Sequence, residues 1–168
     1  IPIRPGTELA FTLALIHVIF YEIKSLDEWF LKNRTNGPYL IAPDGFYFRD
    51  SSTNKPLVWD AVMNCAKTFD DTSVVNYALF GEYEINGVKT HPSLQLIKEA
   101  MKEYAPEWAE QLTTIPVATI RKVAKEFVEH ASIGSTITID DYVFPLRPAQ
   151  FAGSGRGAVS QRNGTLFD

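Results

Sequence analysis

Two glycine-containing segments carry residue types that could bind an anion or a nucleotide. In the first, Arg4–Glu8, residues Pro5 and Gly6 cannot continue a helix upstream, and Thr7 suits the N-cap of a helix that begins there. Such a turn leaves backbone N–H groups free at a helix N-terminus, which is a ready contact for a phosphate or a nucleotide. A capped helix without a ligand is the alternative interpretation of the same residues.

The second segment is the glycine-rich stretch from Gly153 to Thr165. Its glycines let the backbone approach a ligand closely, and Arg156 and Arg162 could each bind a phosphate. The order of its glycines matches neither a Rossmann nor a P-loop fingerprint. A surface loop and a ligand-binding loop are therefore both open interpretations.

The remaining reactive residue types predict little chemistry. Three histidines are scattered without metal-ligand spacing, and His17, within an apolar helix, is predicted to be a satisfied core or interface residue. Cys65 has no neighbouring His or Arg that would activate its thiolate, so it is predicted to be inert. The pairs at 70–71 and 140–141 lie in polar surroundings and favour solvated loops over acid–base dyads.

Composition and charge exclude several classes of protein. The 168 residues suffice for one domain with a hydrophobic core, and 45% hydrophobic with 21% charged residues argue against disorder and membrane bundles. A net charge of -4 argues against binding nucleic acid by charge. A single cysteine excludes an internal disulfide and a thiolate-ligated cluster within this chain.

The start of the chain favours an internal fragment of a longer protein. Ile1–Pro5 enters without a cap or a signal-peptide pattern, so any export signal would lie upstream and the location stays open. The most apolar stretch, Leu9–Tyr21, contains Thr12 and His17 and is shorter than the roughly 20 residues that a membrane span needs. We therefore expect a buried helix and no transmembrane segment.

The helical pattern predicts a layered α/β protein. The helix from Thr7 carries apolar residues at nearly every position, so both of its sides need cover. A second short helix is expected over Leu26–Asn33 with Ser25 as its cap. Prolines suit a first helical turn and predict three further helix starts. These are Pro92, Pro106 and Pro116.

Period-two segments predict two small antiparallel hairpins and a later strand. The first hairpin pairs Phe46–Arg49 with Pro56–Trp59, and Asp60–Ser73 after it is expected to be loop. Ser135–Val143, rich in Thr and Ile, is expected to be strand.

The second hairpin has the clearer signal. Tyr77–Ile85 and Val88–Thr90 flank Asn86-Gly87, a dipeptide that accepts the positive φ angles of a type I′ turn.

Five segments, taken in order, resemble one enzyme family. They are Ile1–Ala10, Asn36–Leu40, Ala105–Ala109, Ile115–Ile120 and Arg156–Thr165. Their order and spacing are similar to those of the large catalytic subunit of the molybdenum or tungsten bis-pyranopterin enzymes, the dimethyl-sulfoxide-reductase family. The resemblance covers most of the chain.

The resemblance implies a role in holding a cofactor. Residues 1–168 would be part of a molybdopterin-binding α/β domain, a helix-rich fragment of a Rossmann-like fold. It would grip the guanine end of a bis-molybdopterin guanine dinucleotide carrying Mo or W. The implied cofactor-binding residues are Gly6, Thr7, Glu8, Arg156, Gly157 and Ser160. The family has Asp where this chain has Glu8, which keeps the charge but moves the carboxylate.

The resemblance also implies what lies outside this chain. In the family, the motif for a 4Fe-4S cluster and the metal-ligating residue (Cys, Ser, Asp or selenocysteine) lie upstream of the Pro5-Gly6 turn. No catalytic residue or metal ligand is therefore assigned here, and the fragment is expected to be inactive alone. Its implied partners are an iron–sulfur electron-transfer subunit and the rest of the catalytic subunit.

Three functions stay open on the sequence. The leading hypothesis is a piece of a molybdopterin-dependent oxidoreductase acting on a small substrate by two-electron, oxygen-atom or hydroxyl transfer. A stand-alone nucleotide-binding module would need a complete glycine-rich strand–turn–helix motif. A non-enzymatic interaction domain is favoured by the 12% aromatic content. The substrate and the choice between Mo and W are not determined.

Overall fold

A computed structural model of the chain describes residues 1–139 and 141–145, which form two compact units. One unit joins Ile1–Asp27 to the described residues from Met101 onward, and the other is Glu28–Ala100. In chain order the elements are α1 (Glu8–His17), a π-helical segment (Val18–Ile23), α2 (Glu28–Arg34), β1 (Leu40–Ile41), β2 (Leu57–Asp60), β3 (Cys65–Thr68), β4 (Tyr83–Ile85), β5 (Val88–Pro92), α3 (Ser93–Ala100), a 3₁₀ turn (Met101–Glu103), α4 (Pro106–Thr113), α5 (Val117–His130), β6 (Thr136–Ile139) and β7 (Tyr142–Pro145).

Small and branched residues bring α1, α4 and α5 together in the first unit. Ala14, Ala109 and Ile120 are fully buried, and Ile115 is 2% exposed. The alanines let the helix backbones approach closely, while the isoleucines fill the space between them. This cluster fixes where α1 begins relative to the end of α4.

Only one side of α1 is covered within the described residues. Ala10 and Ala14 are buried, whereas Leu9 is 70% exposed. The sequence predicted a helix whose apolar residues need cover on both sides. Among the described residues nothing covers the side of α1 that carries Leu9, so this side is an exposed apolar surface. No helix in the described ranges is long and apolar enough to cross a membrane.

The predicted prolines do precede or open helices. Pro106 occupies the first turn of α4, and Pro92 and Pro116 directly precede α3 and α5. The helix predicted from Leu26 instead begins at Glu28, so Ser25 is not its cap.

The second unit contains a three-stranded antiparallel sheet in the order β1-β5-β4. The hairpin between β4 and β5 is confirmed, because Asn86 and Gly87 have φ angles of +52° and +80°, as a type I′ turn requires. Its first strand is shorter than predicted and begins at Tyr83 rather than Tyr77.

The prediction for the first hairpin was wrong in its pairing. Residues 57–60 pair with Cys65–Thr68, inside the segment that was expected to be loop. Only a bridge between Arg49 and Pro56 joins the predicted partners. The chain reverses direction directly after β2, because Asn64 adopts a left-handed φ of +53° and donates its N–H to the Asp60 carbonyl oxygen.

The strand predicted over Ser135–Val143 is a hairpin of β6 and β7. Asp141, with a φ of +68°, interrupts the extended backbone, since a positive φ ends strand geometry. Asp140 lies outside the described residues. All sheets in the described ranges are antiparallel, and the Rossmann-like character of the domain stays a prediction.

Candidate functional site

The turn that the sequence singled out lies directly before α1. The Thr7 N–H donates to the Arg4 carbonyl oxygen at 3.2 Å and closes a four-residue turn. Pro5 supplies its fixed φ to the second position, and Gly6 takes the third position with a φ of +82°. A Cβ at Gly6 would meet no heavy atom of the described residues within 4 Å, so the left-handed backbone, and not crowding, calls for glycine. Space beside this turn is therefore open.

Thr7 does not cap α1 as predicted. Its hydroxyl donates to the Arg4 carbonyl oxygen at 2.6 Å, and it makes no side-chain hydrogen bond to the helix. The backbone of Thr7, with φ -114° and ψ 14°, lies outside the extended region that N-cap residues usually adopt. The N–H groups of the first helical turn are thus left without a side-chain cap, and they have no intrahelical acceptor.

The carboxylate of Glu8 lies at the same helix end. Its Oε1 accepts the Gly6 N–H at 3.4 Å, a long hydrogen bond between exposed groups. A negative charge in the first turn also favours the helix dipole. Glu8 is therefore an exposed acceptor beside uncapped donors, held in place by one long hydrogen bond.

The turn is tied to the end of α4 by a backbone hydrogen bond. The Arg4 N–H donates to the Thr113 carbonyl oxygen at 3.2 Å. Thr113 is fully buried, its hydroxyl donates to the Ala109 carbonyl oxygen at 2.7 Å, and it accepts the Ile115 N–H at 3.1 Å. These hydrogen bonds therefore anchor the turn to the buried end of α4.

Arg121 in α5 forms ion pairs with two other helical segments of the first unit. The Arg121 guanidinium donates to both carboxylate oxygens of Glu22, at 2.7 and 3.0 Å, and to Glu107 at 2.9 Å. Hydrogen bonds to Glu22 and Glu107 raise the pKa of Arg121. A backbone N–H and the Arg121 guanidinium lower the pKa of the Glu107 carboxyl. This fork joins the π-helical segment, α4 and α5.

His17 and Cys65 both lie within the described residues. The prediction of a satisfied His17 is confirmed, because its Nδ1 lies 2.8 Å from the Met101 carbonyl oxygen and its ring contacts Tyr21. Cys65 is a half-buried free cysteine in β3. Over residues 1–139 and 141–145, no three His, Cys, Asp or Glu side chains group as a metal site.

Gly6, Thr7 and Glu8 are the predicted cofactor-binding residues that the structure describes, and it brings them together in one exposed turn. The other three lie outside the described residues. These are Arg156, Gly157 and Ser160.

Asp60 is a buried carboxylate that the sequence analysis missed. It is fully buried, and its oxygens accept the Val75 N–H at 2.9 Å, the Val62 N–H at 3.0 Å and the Lys67 ammonium at 3.0 Å. Burial alone would raise the pKa of Asp60, but these donors hold the pKa well below its usual value. An aspartate followed four residues later by Asn64 is the local turn signal that could have indicated it.

Comparison with known proteins places the chain among oxidoreductase subunits. The A subunit of sulfite dehydrogenase from Allochromatium vinosum is 33% identical over 141 residues, covering 75% of this chain and 14% of that protein. A candidate dimethyl sulfoxide reductase catalytic subunit from Halobacterium salinarum is 30% identical over 131 residues, covering 74% and 16%. The A subunit of selenate reductase from Mesobacillus selenatarsenatis is 28% identical over 189 aligned positions, covering 98% and 16%.

No protein-family model matches the chain. The chain spans 14% to 16% of the length of these three relatives. The relatives are catalytic subunits of molybdopterin oxidoreductases, and the ordered motifs indicated the same group. The chain is therefore homologous to a segment of the molybdopterin oxidoreductase catalytic subunits of the dimethyl-sulfoxide-reductase family.

Proposed function

We propose that this chain helps to hold the guanine dinucleotide end of a molybdenum or tungsten bis-molybdopterin cofactor within an oxidoreductase subunit. The observation that carries the proposal is the exposed turn at Gly6, which leads into an uncapped helix N-terminus beside the Glu8 carboxylate. Homology to this family supplies the cofactor class, and this turn supplies groups that suit its nucleotide end.

The residues present fit a nucleotide in two respects. The uncapped N–H groups at the start of α1 favour an anion such as a phosphate, because they add hydrogen bonds to the positive end of the helix dipole. The Glu8 carboxylate offers acceptors, which suit guanine N–H groups or a ribose hydroxyl. The open space beside Gly6 gives a ligand access to both.

The chain's own contribution is binding and orientation. The Arg4–Thr113 hydrogen bond and the core around Ala14 fix the turn, so that its donors are positioned before the ligand arrives. Exchange of the long Gly6–Glu8 hydrogen bond for a ligand contact costs little, since both groups are exposed. When bound, the cofactor supplies two-electron redox or oxygen-atom and hydroxyl transfer on a small substrate.

The proposed enzyme also needs groups from parts of the protein outside this chain. A 4Fe-4S cluster and the metal-ligating residue would come from outside this chain, so the chain alone is expected to be inactive. The name of each relative denotes one subunit, which supports an assembly with further subunits, including one that transfers electrons through iron–sulfur clusters.

The test is a Glu8→Ala substitution in the full-length enzyme, with metal and guanine-nucleotide content measured on the purified protein. Loss of one charge-assisted hydrogen bond should weaken cofactor binding about ten- to a hundredfold. Glu8→Asp, which restores the family's residue, should retain the cofactor.

The matched control is Glu28→Ala, because Glu28 is likewise acidic in the first turn of an exposed helix. If Glu8 only serves the helix dipole, both variants lose at most about 1 kcal/mol of stability and keep full cofactor. Full occupancy in Glu8→Ala would therefore refute the site.

A further inference from the structure

The unit Glu28–Ala100 contains a surface pocket of about 500 Å³, a volume that suits a nucleotide-sized ligand. Its lining includes Lys32, Arg34, Asn36, Tyr39, Phe69 and Tyr77. The lining thus combines two cations, aromatic rings and two amide side chains, and it contains no carboxylate among the described residues. We propose that this pocket binds a purine mononucleotide, with the base against the aromatic rings and the phosphate at the two cations.

The aromatic wall is built from rings that already hold one another in place. The Tyr39 ring lies 5.3 Å from Phe69 and 5.5 Å from Tyr47, measured between centroids. A fixed ring offers a face on which a base can stack without further ordering. Within the described chain, the Tyr39 hydroxyl makes no hydrogen bond to another residue, so it can serve a ligand. Burial raises the pKa of this hydroxyl, which keeps it a neutral donor.

Both cations can turn to a phosphate at little cost. The Lys32 ammonium lies 2.9 Å from the Glu28 carboxylate; the Lys32 side chain is 21% exposed and that of Glu28 is 62% exposed. An i,i+4 pair with one exposed partner contributes little stability. The Arg34 guanidinium lies over the Trp29 ring, 5.5 Å from its centroid. Stacking uses the face of the guanidinium and leaves its N–H edge for a phosphate. Two cations match the charge of a terminal phosphate.

Two nearby carboxylates each pair with a lysine, so Glu28 offsets the charge of Lys32 before a ligand binds. Glu28 pairs with Lys32, and Asp70 pairs with Lys55 at 2.6 Å. A bound phosphate would replace Glu28 at Lys32 and leave the Asp70 pair as it is. Arg34 keeps its charge for the ligand.

The amide side chains favour a base that donates hydrogen bonds. The Asn36 Nδ2 donates to the Tyr47 hydroxyl at 2.6 Å, and the Asn33 Nδ2, also at the pocket, donates to the Trp29 carbonyl oxygen at 2.8 Å. With their nitrogens engaged, the amide oxygens of both side chains remain as acceptors for N–H groups of a ligand. Purines carry such donors on guanine N1 and N2 or adenine N6.

The inference does not rest on the proposed function. All pocket residues belong to the unit Glu28–Ala100, whereas Gly6, Thr7 and Glu8 belong to the other unit. Absence of ligand binding at one site therefore leaves the proposal for the other site unaffected.

The test is calorimetric titration of the full chain with GMP, AMP, guanosine and inorganic phosphate. At least one of the two mononucleotides should bind about tenfold or more tightly than guanosine or phosphate, because base and phosphate contacts contribute together. Lys32→Ala and Arg34→Ala should each weaken it about tenfold, since each removes a charge-assisted hydrogen bond. Tyr39→Phe, which keeps the ring, should weaken it a few-fold.

The matched control is Lys122→Ala, because Lys122 forms an i,i+4 pair with Glu126 as Lys32 does with Glu28. It should leave mononucleotide binding unchanged. Absence of saturable mononucleotide binding would overturn the proposal, as would phosphate alone binding as tightly as the mononucleotides. Binding that Glu8→Ala abolishes while Arg34→Ala retains it would also overturn it, because the nucleotide would then lie at the turn before α1.

Discussion

Substitution of Asp60 by Asn keeps the shape of the side chain but changes one oxygen into a donor. Oδ1 of Asp60 accepts the N–H groups of Val62 at 3.0 Å, Met63 at 3.3 Å and Asn76 at 3.3 Å. Oδ2 accepts the Lys67 ammonium at 3.0 Å and the Val75 N–H at 2.9 Å. An asparagine can satisfy one of these two sets and must direct its NH₂ at the other.

The better orientation of the amide leaves the Val75 N–H unpaired and removes one acceptor from the Lys67 ammonium, which keeps the Ser73 carbonyl oxygen at 2.8 Å. With its oxygen toward the three N–H groups, its nitrogen meets the Val75 N–H and the Lys67 ammonium, which is 15% exposed. The unpaired buried N–H costs about 1–3 kcal/mol, and loss of the charge-assisted hydrogen bond from Lys67 adds about 1.5–3 kcal/mol. For a unit of this size the melting temperature should fall by roughly 10–20 °C.

Thermal unfolding of the full chain, followed by tryptophan fluorescence, measures this effect. Trp59 is a suitable probe because it precedes Asp60 in β2 and stacks on Tyr83 at 4.6 Å between ring centroids. The matched control is Asp70→Asn, which removes a half-exposed partner of Lys55 and should shift the melting temperature by only a few degrees. Equal shifts in the two variants would refute the assignment of Asp60 as the organiser of this loop.

The same carboxylate predicts an acid dependence of stability. Because donors lower the native pKa of Asp60, its stabilisation is present above the unfolded value of about 4 and is lost as the pH falls below that value. The wild-type melting temperature should therefore decline below about pH 4 more steeply than that of Asp60→Asn. Parallel declines in the two proteins would contradict this.

Three further substitutions test the first unit. Ile120→Ala should lower the free energy of unfolding by about 2–5 kcal/mol in denaturant titrations. Phe127, on the same helix, is 47% exposed, so Phe127→Ala should cost much less, and equal losses would contradict the core assignment. Gly6→Ala should cost about 1–2 kcal/mol, because alanine disfavours a φ of +82°, and an unchanged melting temperature would contradict that conformation. Leu9→Ser should reduce binding of a hydrophobic dye while stability stays within about 0.5 kcal/mol; undiminished dye binding would place the apolar patch elsewhere.

The features that the sequence predicted well are local ones. The Asn86-Gly87 turn and the start of α4 at Pro106 are encoded by residues next to each other, whose backbone preferences act without distant partners. The Gly6 turn is local in the same sense, because its residues are consecutive. Its capping hydrogen bond was predicted wrongly, because a Thr hydroxyl can accept an N–H of the first helical turn or donate to a carbonyl oxygen, and that of Thr7 donates to the Arg4 carbonyl oxygen.

The features that could not be predicted depend on contacts between distant residues. The segment that follows β3 is held against β2 by Asp60, which accepts the N–H groups of Val75 and Asn76, fifteen and sixteen residues away. Neither Asp60 nor Val75 and Asn76 lie in a segment whose hydrophobic periodicity predicts this contact. The pocket likewise combines α2 with Phe69 and Tyr77, so its cations and rings are separated in the sequence and meet only in the folded unit.

The motifs that identify the family are mostly structural, and this limits what they say about activity. Ala105–Ala109 and Ile115–Ile120 supply Ala109, Ile115 and Ile120 to the core around Ala14, so these positions stabilise helix packing. Fold membership does not by itself assign a chemistry. Of the described motif segments in the first unit, the Gly6 turn instead carries exposed donors and an acceptor, which we propose bind a ligand. Cofactor occupancy in the Glu8 variants therefore separates a functional role from a shared scaffold, which core substitutions cannot do.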